Sequence, residues 1–219
     1  MVKLLIIFGA SNFGDEIVQL FRDVNASRPG PEWEIVGFLD DDPEKAGTVR
    51  NGIEVLGSRS WLEDNSPGEL YFVCAIGNPK VKVDVIDALI AKGARFATAI
   101  HPSVVRTDTT SFGQGCMITA GNILTTNVAV GDHVILNLAC TVGHHTTIGD
   151  FSTINPGANI SGDVILAEGV FVGTSACILE KLTIGEYATI GAGAVVTKNV
   201  PARVTAVGVP ARAIRRHSD

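Results

Sequence analysis

The sequence predicts an α/β protein in two parts, a small N-terminal parallel sheet followed by a left-handed parallel β-helix. Strand and helix signals alternate through the first half, whereas aliphatic residues recur at every sixth position through the second half. The composition supports this prediction, because the chain has 24 glycines among 219 residues and only 6% aromatic residues. An interior poor in rings and rich in glycine and small aliphatics is typical of a closely repeating backbone.

A shift in charge divides the chain. Between Thr107 and Thr197 the only lysine or arginine is Lys181, and both tryptophans, Trp33 and Trp61, come earlier. Such a shift is typical of a domain boundary. We therefore expect a first domain over residues 1–106 and a second over 107–219.

The first half predicts a small Rossmann-like sheet of three or four parallel strands, because short apolar runs alternate with helical patterns. The predicted strands are Lys3–Phe8, Glu34–Leu39, Leu70–Ile76 and Arg95–Ile100, and the predicted helices cover residues 13–25 and 79–92. The second helix has an apolar stripe that includes Val85, Leu89 and Ile90. Ligands of such sheets bind at the carboxyl ends of the strands.

The second half is a hexapeptide repeat, which is typical of a parallel β-helix. Fourteen positions in a single six-residue frame are all Ile, Leu or Val: Ile118, Leu124, Val130, Leu136, Val142, Ile148, Ile154, Ile160, Leu166, Val172, Ile178, Ile184, Ile190 and Val196. Three units close one triangular coil, so residues 118–201 should form about 4.7 coils. Glycine, Asn and Asp at the corners would permit unusual backbone angles.

Other features exclude whole classes of function. The net charge of −6 argues against a general nucleic-acid-binding surface. No apolar run is long enough to span a membrane, and the N-terminus lacks the pattern of a signal peptide. The four cysteines form no CxxC pair, so we expect reduced thiols in a cytoplasmic protein, without a metal site.

Several motifs together resemble a known family. They are the hexapeptide run, GAGAVVTKNVP at 191–201, GVPAR at 208–212, GASNFG at 9–14, LDDD at 39–42 and AIGN at 75–78. The chain resembles the left-handed β-helix acyltransferases, in particular the bacterial enzymes that N-acetylate nucleotide-linked amino sugars in bacillosamine and perosamine synthesis. Sialic acid O-acetyltransferases share this layout. The resemblance implies a homotrimer with active sites between subunits, acetyl-CoA as co-substrate, and direct transfer of the acetyl group.

The resemblance also implies a catalytic base. His144 in TVGHHTTIGDF occupies the place of the family's catalytic histidine. Its position in the repeat predicts a side chain that projects outward or lies at a corner, and an imidazole can accept a proton from an attacking amine at neutral pH. His145 departs from the family, which usually has Asp or Glu there, so His145 or another acid must supply any orienting contact. Asn137 matches an asparagine near the acceptor, although stacking on Asn155 one coil later explains it equally well.

Family matching places the acetyl-CoA groove along the β-helix. The implied contacts are Thr153, through its hydroxyl, the backbone around Gly162, Gly173, Thr174 and Ala192, and Arg212 of the basic tail. A backbone N–H there would hold the thioester oxygen in the transition state. The sequence leaves open which N–H does so, and it leaves open whether the tail is simply a solvated terminus.

In the first half, Gly9, Ser11, Asn12, Phe13 and Gly14 follow a strand and open a helix, an arrangement that presents N–H groups to a phosphate. Further cleft residues should be Asp40 and Asp41, which can accept from ribose or uracil donors, together with Gly77 and Asn78 at the next strand end. By family analogy this edge binds a UDP- or GDP-linked sugar.

Three alternatives stay open. An O-acetyltransferase differs only in its acceptor. A zinc hydratase needs three histidine ligands, for which the β-helix offers His133, His144 and His145 without the usual spacing. A non-catalytic assembly module would not bind acetyl-CoA.

Overall fold

The computed structural model describes residues 2–65 and 67–217, and its first part is a sheet flanked by helices. The elements of this part are β1 (Lys3–Phe8), α1 (Asn12–Ala26), β2 (Trp33–Leu39), a 3₁₀ turn (Pro43–Lys45), β3 (Val49–Arg50), β4 (Ile53–Gly57), α2 (Trp61–Asp64), β5 (Tyr71–Cys74), α3 (Pro79–Ala91) and β6 (Arg95–Phe96). The strand order is β3-β4-β2-β1-β5-β6, parallel except for the β3–β4 hairpin.

The sheet therefore has six strands, and the expectation of three or four is wrong. The hairpin of β3 and β4 was missed, although its turn carries Asn51-Gly52, the dipeptide that tight hairpin turns prefer. Both residues have positive φ, 50° and 79°. The strand expected over Arg95–Ile100 is also divided. Residues 99–100 leave the first sheet and join the β-helix.

The two longer helices begin at side-chain caps. Ser11 accepts a hydrogen bond from the Gly14 N–H at the start of α1, and Asn78 accepts from the N–H groups of Lys80 and Val81 at the start of α3. Of the stripe expected on α3, Val85 and Leu89 are buried, but Ile90 is 51% exposed. The buried face of α3 therefore includes Ile86 in place of the expected Ile90.

The second part is a left-handed parallel β-helix of three sheets. Its strands are β7 (Ala99–Ile100), β8 (Ser111–Phe112), β9 (Met117–Ile118), β10 (Ile123–Leu124), β11 (Ala129–Val130), β12 (Ile135–Leu136), β13 (Thr141–Val142), β14 (Thr147–Ile148), β15 (Thr153–Ile154), β16 (Asn159–Ile160), β17 (Ile165–Leu166), β18 (Phe171–Val172), β19 (Cys177–Ile178), β20 (Thr183–Ile184), β21 (Thr189–Ile190), β22 (Val195–Val196), β23 (Val204–Val207) and β24 (Arg212–Arg216).

We name the three sheets by position. The long face holds β7, β9, β12, β15, β18, β21, β23 and β24; the second face holds β10, β13, β16, β19 and β22; the third face holds β8, β11, β14, β17 and β20. Within each face successive strands pair in parallel 18 residues apart, for example Ile135 with Thr153. Because β7 pairs with β9, the β-helix begins before the boundary expected at residues 106 and 107.

All fourteen aliphatic positions of the repeat are buried in one continuous core, as the hexapeptide frame predicts. Every sixth residue from Gly115 to Gly193 has a φ between +52° and +76°, so each corner contains one left-handed residue. The frequent glycine directly after the aliphatic residue serves a different purpose. A Cβ at Gly173, for example, would lie 2.5 Å from the backbone nitrogen of Ala192, so close stacking of coils requires glycine there.

One buried lysine joins the two parts. Lys82 of α3 is fully buried, and its Nζ donates to the carbonyl oxygens of His133 and Ser152 and to the hydroxyl of Thr153, at 3.1, 3.3 and 2.9 Å. This contact fixes α3 against the β-helix. None of the helices in the described ranges has the length and hydropathy needed to cross a bilayer.

Candidate active site

A cleft of about 1130 Å³ lies between the carboxyl ends of the first sheet and the long face of the β-helix. Both parts of the chain contribute walls. The lining residues are Phe8, Gly9, Ser11, Phe13, Glu16, Asp40, Asp41, Arg59, Ala75, Ile76, Gly77, Asn78, Pro79, Lys80, Val81 and Val85 from the first part, and Ile135, Asn137, Leu138, Thr153, Asn155, Pro156, Gly169, Phe171, Tyr187, Thr189 and His217 from the second.

Most first-half residues singled out in the sequence meet in this cleft, as their shared position at strand ends requires. Asn12 and Gly14 are the exceptions among them. The Asn12 side chain points to Arg50 and accepts a hydrogen bond from its guanidinium at 3.1 Å. Gly14 packs against the preceding turn, and a Cβ there would lie 2.2 Å from the Gly9 carbonyl oxygen. Gly14 thus shapes the loop rather than lining the cleft.

The two aspartates have different surroundings. Asp40 is held inside the fold, because its carboxylate accepts from the Ala10 N–H at 2.8 Å and from the Lys45 ammonium at 2.9 Å. Asp41 lies at the rim, where its carboxylate pairs with Arg59. Burial alone would raise the pKa of Asp41, but hydrogen bonds and charge from Arg59 outweigh burial and lower it.

Arg59 is a cleft residue that the sequence reasoning missed. Its guanidinium joins Asp41 to Asp84 of α3, with an Nη2 to Oδ2 distance of 2.9 Å to Asp84. The pair with Asp41 raises the pKa of Arg59, although burial opposes the change. An arginine before a short helix has no sequence motif, so only the fold reveals its place in the cleft.

The β-helix wall presents amide, hydroxyl and aromatic groups. The Asn155 Nδ2 donates to the Val172 carbonyl oxygen at 2.8 Å, whereas the Asn137 Oδ1 accepts from the adjacent Leu138 N–H at 3.0 Å. The two asparagines are in register one coil apart but have no hydrogen bond to each other in the described part of the chain. Asn137 therefore keeps its Nδ2 available to a ligand. Thr153 is buried, with its hydroxyl bonded to Lys82.

His144 and His145 do not line the cleft. They lie in the turn between β13 and β14, at the corner of the second and third faces, opposite the long face. We call this set of stacked turns the 145 corner; it contains residues 126–127, 144–145, 162–163 and 180–181. The predicted outward position of His144 is confirmed, since its side chain is 55% exposed.

The imidazoles at this corner are arranged by their neighbours. The two Nδ1 atoms are 3.2 Å apart, and the His145 Nε2 is 3.0 Å from the Asn127 side-chain amide. The Asp163 carboxylate lies 3.9 Å from the His144 Nδ1. Within the described residues, His144, His145 and Asp163 form the only group of three such side chains close enough to share a metal ion, with ligand atoms within 4.8 Å of one another.

The backbone groups expected along the acetyl-CoA groove have distinct environments. The Gly173 N–H already donates to the Ile190 carbonyl oxygen at 2.7 Å, so it is not available to an oxyanion. In the described ranges the N–H groups of Gly162, Thr174 and Ala192 have no protein acceptor. Gly162 lies beneath the His144 ring, where a Cβ would be 2.6 Å from Cε1 and Nε2. Of these three residues, Gly162 is the one that packs against the His144 ring.

The basic tail is not a loose terminus. Arg212 begins β24, which pairs antiparallel with β23 and adds the last strand to the long face. The Arg212 side chain is exposed and donates to the Ala211 carbonyl oxygen at 2.9 Å. His217 follows this strand, lines the cleft, and forms a hydrogen bond with the Thr205 hydroxyl at 2.9 Å.

A hexapeptide β-helix that shares a cleft with a small α/β sheet defines a hexapeptide-repeat protein with an added α/β part, and comparisons with known proteins specify which kind. Residues 4–89 match the family model of the PglD N-terminal domain. A GDP-perosamine N-acetyltransferase of Escherichia coli O157:H7 is 35% identical over 153 residues, which cover 69% of this chain and 67% of that protein.

Solved structures agree along the whole chain. The acetyltransferase domain of PglB from Neisseria gonorrhoeae FA1090, in complex with acetyl coenzyme A, is 31% identical with a TM-score of 0.86 over 98% of this chain and 100% of that one. PerB from Caulobacter crescentus, in complex with CoA and GDP-perosamine, is 25% identical with a TM-score of 0.85 over 98% and 99%. The chain belongs to the PglD-like family of hexapeptide acetyltransferases, and the resemblance seen in its motifs is confirmed.

Proposed function

We propose that this protein transfers an acetyl group from acetyl-CoA to the amine of a nucleotide-linked amino-deoxy sugar. The observation that carries the proposal is the cleft itself, in which a loop of phosphate-binding type faces a hexapeptide β-helix. The names of its relatives support both ligands, since one is a GDP-perosamine N-acetyltransferase and two were solved with acetyl coenzyme A or CoA. The nucleotide is UDP or GDP, bound through Gly9, Ser11 and the Asp41–Arg59 rim.

We infer that the working form is a homotrimer with active sites between subunits. The cleft occupies the long face, whereas His144 lies on the opposite corner of the same β-helix. A neighbouring copy that brings its own 145 corner to the cleft would complete the site. The faces that meet at this corner carry exposed apolar residues, including Ile123 at 44% and Ile165 at 50% exposure. A packed interface would remove such residues from water.

The chemistry follows from the groups at the corner. The sugar amine attacks the thioester carbon, and the His144 Nε2 takes the proton that the new amide cannot keep. Negative charge develops on the thioester oxygen, and a free backbone N–H such as that of Gly162 or Ala192 stabilises it. The tetrahedral intermediate collapses, the carbon–sulfur bond breaks, and the CoA thiolate takes up a proton.

Location follows from the same chemistry. Acetyl-CoA and nucleotide sugars are made in the cytoplasm, and the four cysteines are free thiols, so we place the protein there.

Replacing the proposed base tests the mechanism. His144→Ala should lower kcat by about 10²–10⁴ while leaving acetyl-CoA affinity nearly unchanged, because only the transition state uses the imidazole. His101→Ala is a matched control, since His101 contacts Ser103 and Asp23 away from both walls. A loss below tenfold would remove His144 from the mechanism.

The acceptor is identified by a panel of UDP- and GDP-linked sugars, each supplied as the amine and as the corresponding hydroxyl compound. Transfer to the amine alone supports the proposal. Transfer to the hydroxyl would make the protein an O-acetyltransferase, and absence of acetyl-CoA binding by calorimetry would leave an assembly module.

A further inference from the structure

We propose that Asp163 is the positioning residue for His144, with a carboxylate supplied by the next coil rather than by the next residue. This inference rests on the proposed function, because it concerns the base of that reaction. It answers a question raised by the sequence, in which position 145 holds a second imidazole.

The backbone fixes Asp163 beside His144. The Asp163 N–H donates to the His144 carbonyl oxygen at 2.8 Å, so the two residues are neighbours on adjacent coils. Asp163 has a φ of 57°, the corner conformation that Asp adopts at little cost. Its carboxylate is 3.9 Å from the His144 Nδ1, and both side chains are about half exposed. This separation exceeds a hydrogen bond, so the proposal requires the half-exposed carboxylate to turn towards the ring.

His145 alone would give His144 the wrong tautomer. The Asn127 Nδ2 lies 3.0 Å from the His145 Nε2 and can only donate, so the proton of a neutral His145 lies on Nδ1. That Nδ1 is 3.2 Å from the His144 Nδ1, to which it would donate, leaving the His144 proton on Nε2, where a base must be unprotonated.

A carboxylate only accepts, so it favours the opposite tautomer. Asp163 favours a proton on the His144 Nδ1 and leaves the Nε2 lone pair free for the amine proton. Once the imidazole is doubly protonated, the same carboxylate is its counter-ion. Gly162 completes the arrangement, because its missing Cβ leaves the space that the Cε1 and Nε2 side of the ring occupies.

The experiment combines kinetics with the protonation state of the ring. Asp163→Asn should lower kcat by about tenfold to a hundredfold with KM values changed less than threefold. Asp163→Glu should recover most of the activity, because it keeps an acceptor carboxylate. The matched control is Asp108→Asn, an exposed aspartate two coils away in the column of His144, about 10 Å distant by strand spacing.

Nitrogen-15 NMR of selectively labelled histidine gives a readout that needs no activity. The chain has five histidines, and His144→Ala assigns the relevant signals. The His144 ring should carry its proton on Nδ1 in the unmodified protein and in Asp163→Glu, and it should become a mixture of tautomers in Asp163→Asn. Folding of every variant is checked by its thermal midpoint.

Distinct results would overturn the inference. An unchanged tautomer together with kcat within twofold in Asp163→Asn would show that Asp163 does not act on His144. If the His144 tautomer and kcat change only in His145→Asn, then His145 positions the His144 ring. One zinc ion per purified chain, lost in Asp163→Asn, would make the three side chains a metal site instead. If the proposed function itself fails, no acceptor is acetylated, yet the tautomer measurement still decides the contact.

Discussion

The buried lysine that joins the two parts of the chain should make stability depend on pH in a specific direction. Burial lowers the pKa of Lys82 to about 7, against 10.5 in the unfolded chain, although the nearby Cys74 and Cys116 side chains oppose that change. Between these two values the unfolded chain binds more protons at this site than the folded chain does. Lys82 therefore does not reduce the free energy of unfolding above pH 10.5. As the pH falls from there towards 7, protonation of Lys82 in the unfolded chain lowers that free energy.

The magnitude follows from that interval. Between pH 9 and pH 7 the wild-type protein should lose about 2 kcal/mol of unfolding free energy through Lys82 alone. Lys82→Met keeps the apolar stem of the side chain but cannot titrate, so the unfolding free energy of the variant lacks this pH-dependent loss. The stability difference between wild type and variant should shift by about 2 kcal/mol across those two pH values.

The assay is urea denaturation of both proteins at pH 7 and pH 9, at equal protein concentration because assembly would affect the midpoint. Cys74 and Cys116 have pKa values raised to about 12 by burial, but both proteins contain them, so their effect cancels. Three oxygens surround the Lys82 Nζ and favour the ammonium form. A difference that stays constant within about 0.5 kcal/mol would show that these oxygens, not burial, determine the titration.

Two further predictions concern other residues. Among the described residues neither His133 nitrogen has a hydrogen-bond partner, and burial between Phe96 and Phe151 lowers the pKa of His133 to about 4. The free energy of unfolding is thus undiminished by His133 above pH 6.5 and falls by about 3 kcal/mol as the pH decreases towards 4. In urea denaturation, His133→Leu should lack this part of the loss at acid pH. Parallel plots of unfolding free energy against pH for the two proteins would contradict the prediction. Gly162→Ala should lower kcat about tenfold to a hundredfold by displacing the base, with an unchanged thermal midpoint. The control is Gly30→Ala, which should change neither quantity because there is open space around Gly30. Equal activity of the two variants would show that the His144 ring has room for the added methyl group.

The sequence predicted the β-helix in detail because one period determines both the strand and the inward side chain. Each aliphatic residue of the frame, from Ile118 to Val196, is buried. The strands of the first sheet were harder to predict, because β3 has only two residues and β6 is separated from β7 only by Ala97 and Thr98. Short strands carry too few residues to show a period.

The sequence likewise predicted some residues of the candidate site and missed others. Residues at strand ends, such as Asp41 and Asn78, were found because parallel strands bring their carboxyl ends to one edge. Arg59 and Asp163 were not found, because each acts through a neighbour that is distant in the sequence and adjacent only after folding. Asp163 is in register with His145 through an 18-residue coil, a spacing that no short motif records.

The corners of the β-helix explain how such contacts can arise. Fourteen consecutive corners adopt a left-handed backbone, yet their residues include Ala139, Phe151, Ser175 and Tyr187 as well as glycine. Glycine is thus not required there, because the stacked coils hold the backbone of each corner through hydrogen bonds such as that from the Asp163 N–H to His144. The residue at a corner can then be selected for its side chain. Asn127, His145 and Asp163 occupy one column of such corners, so a substitution in any of them changes the surroundings of the base without changing the path of the chain.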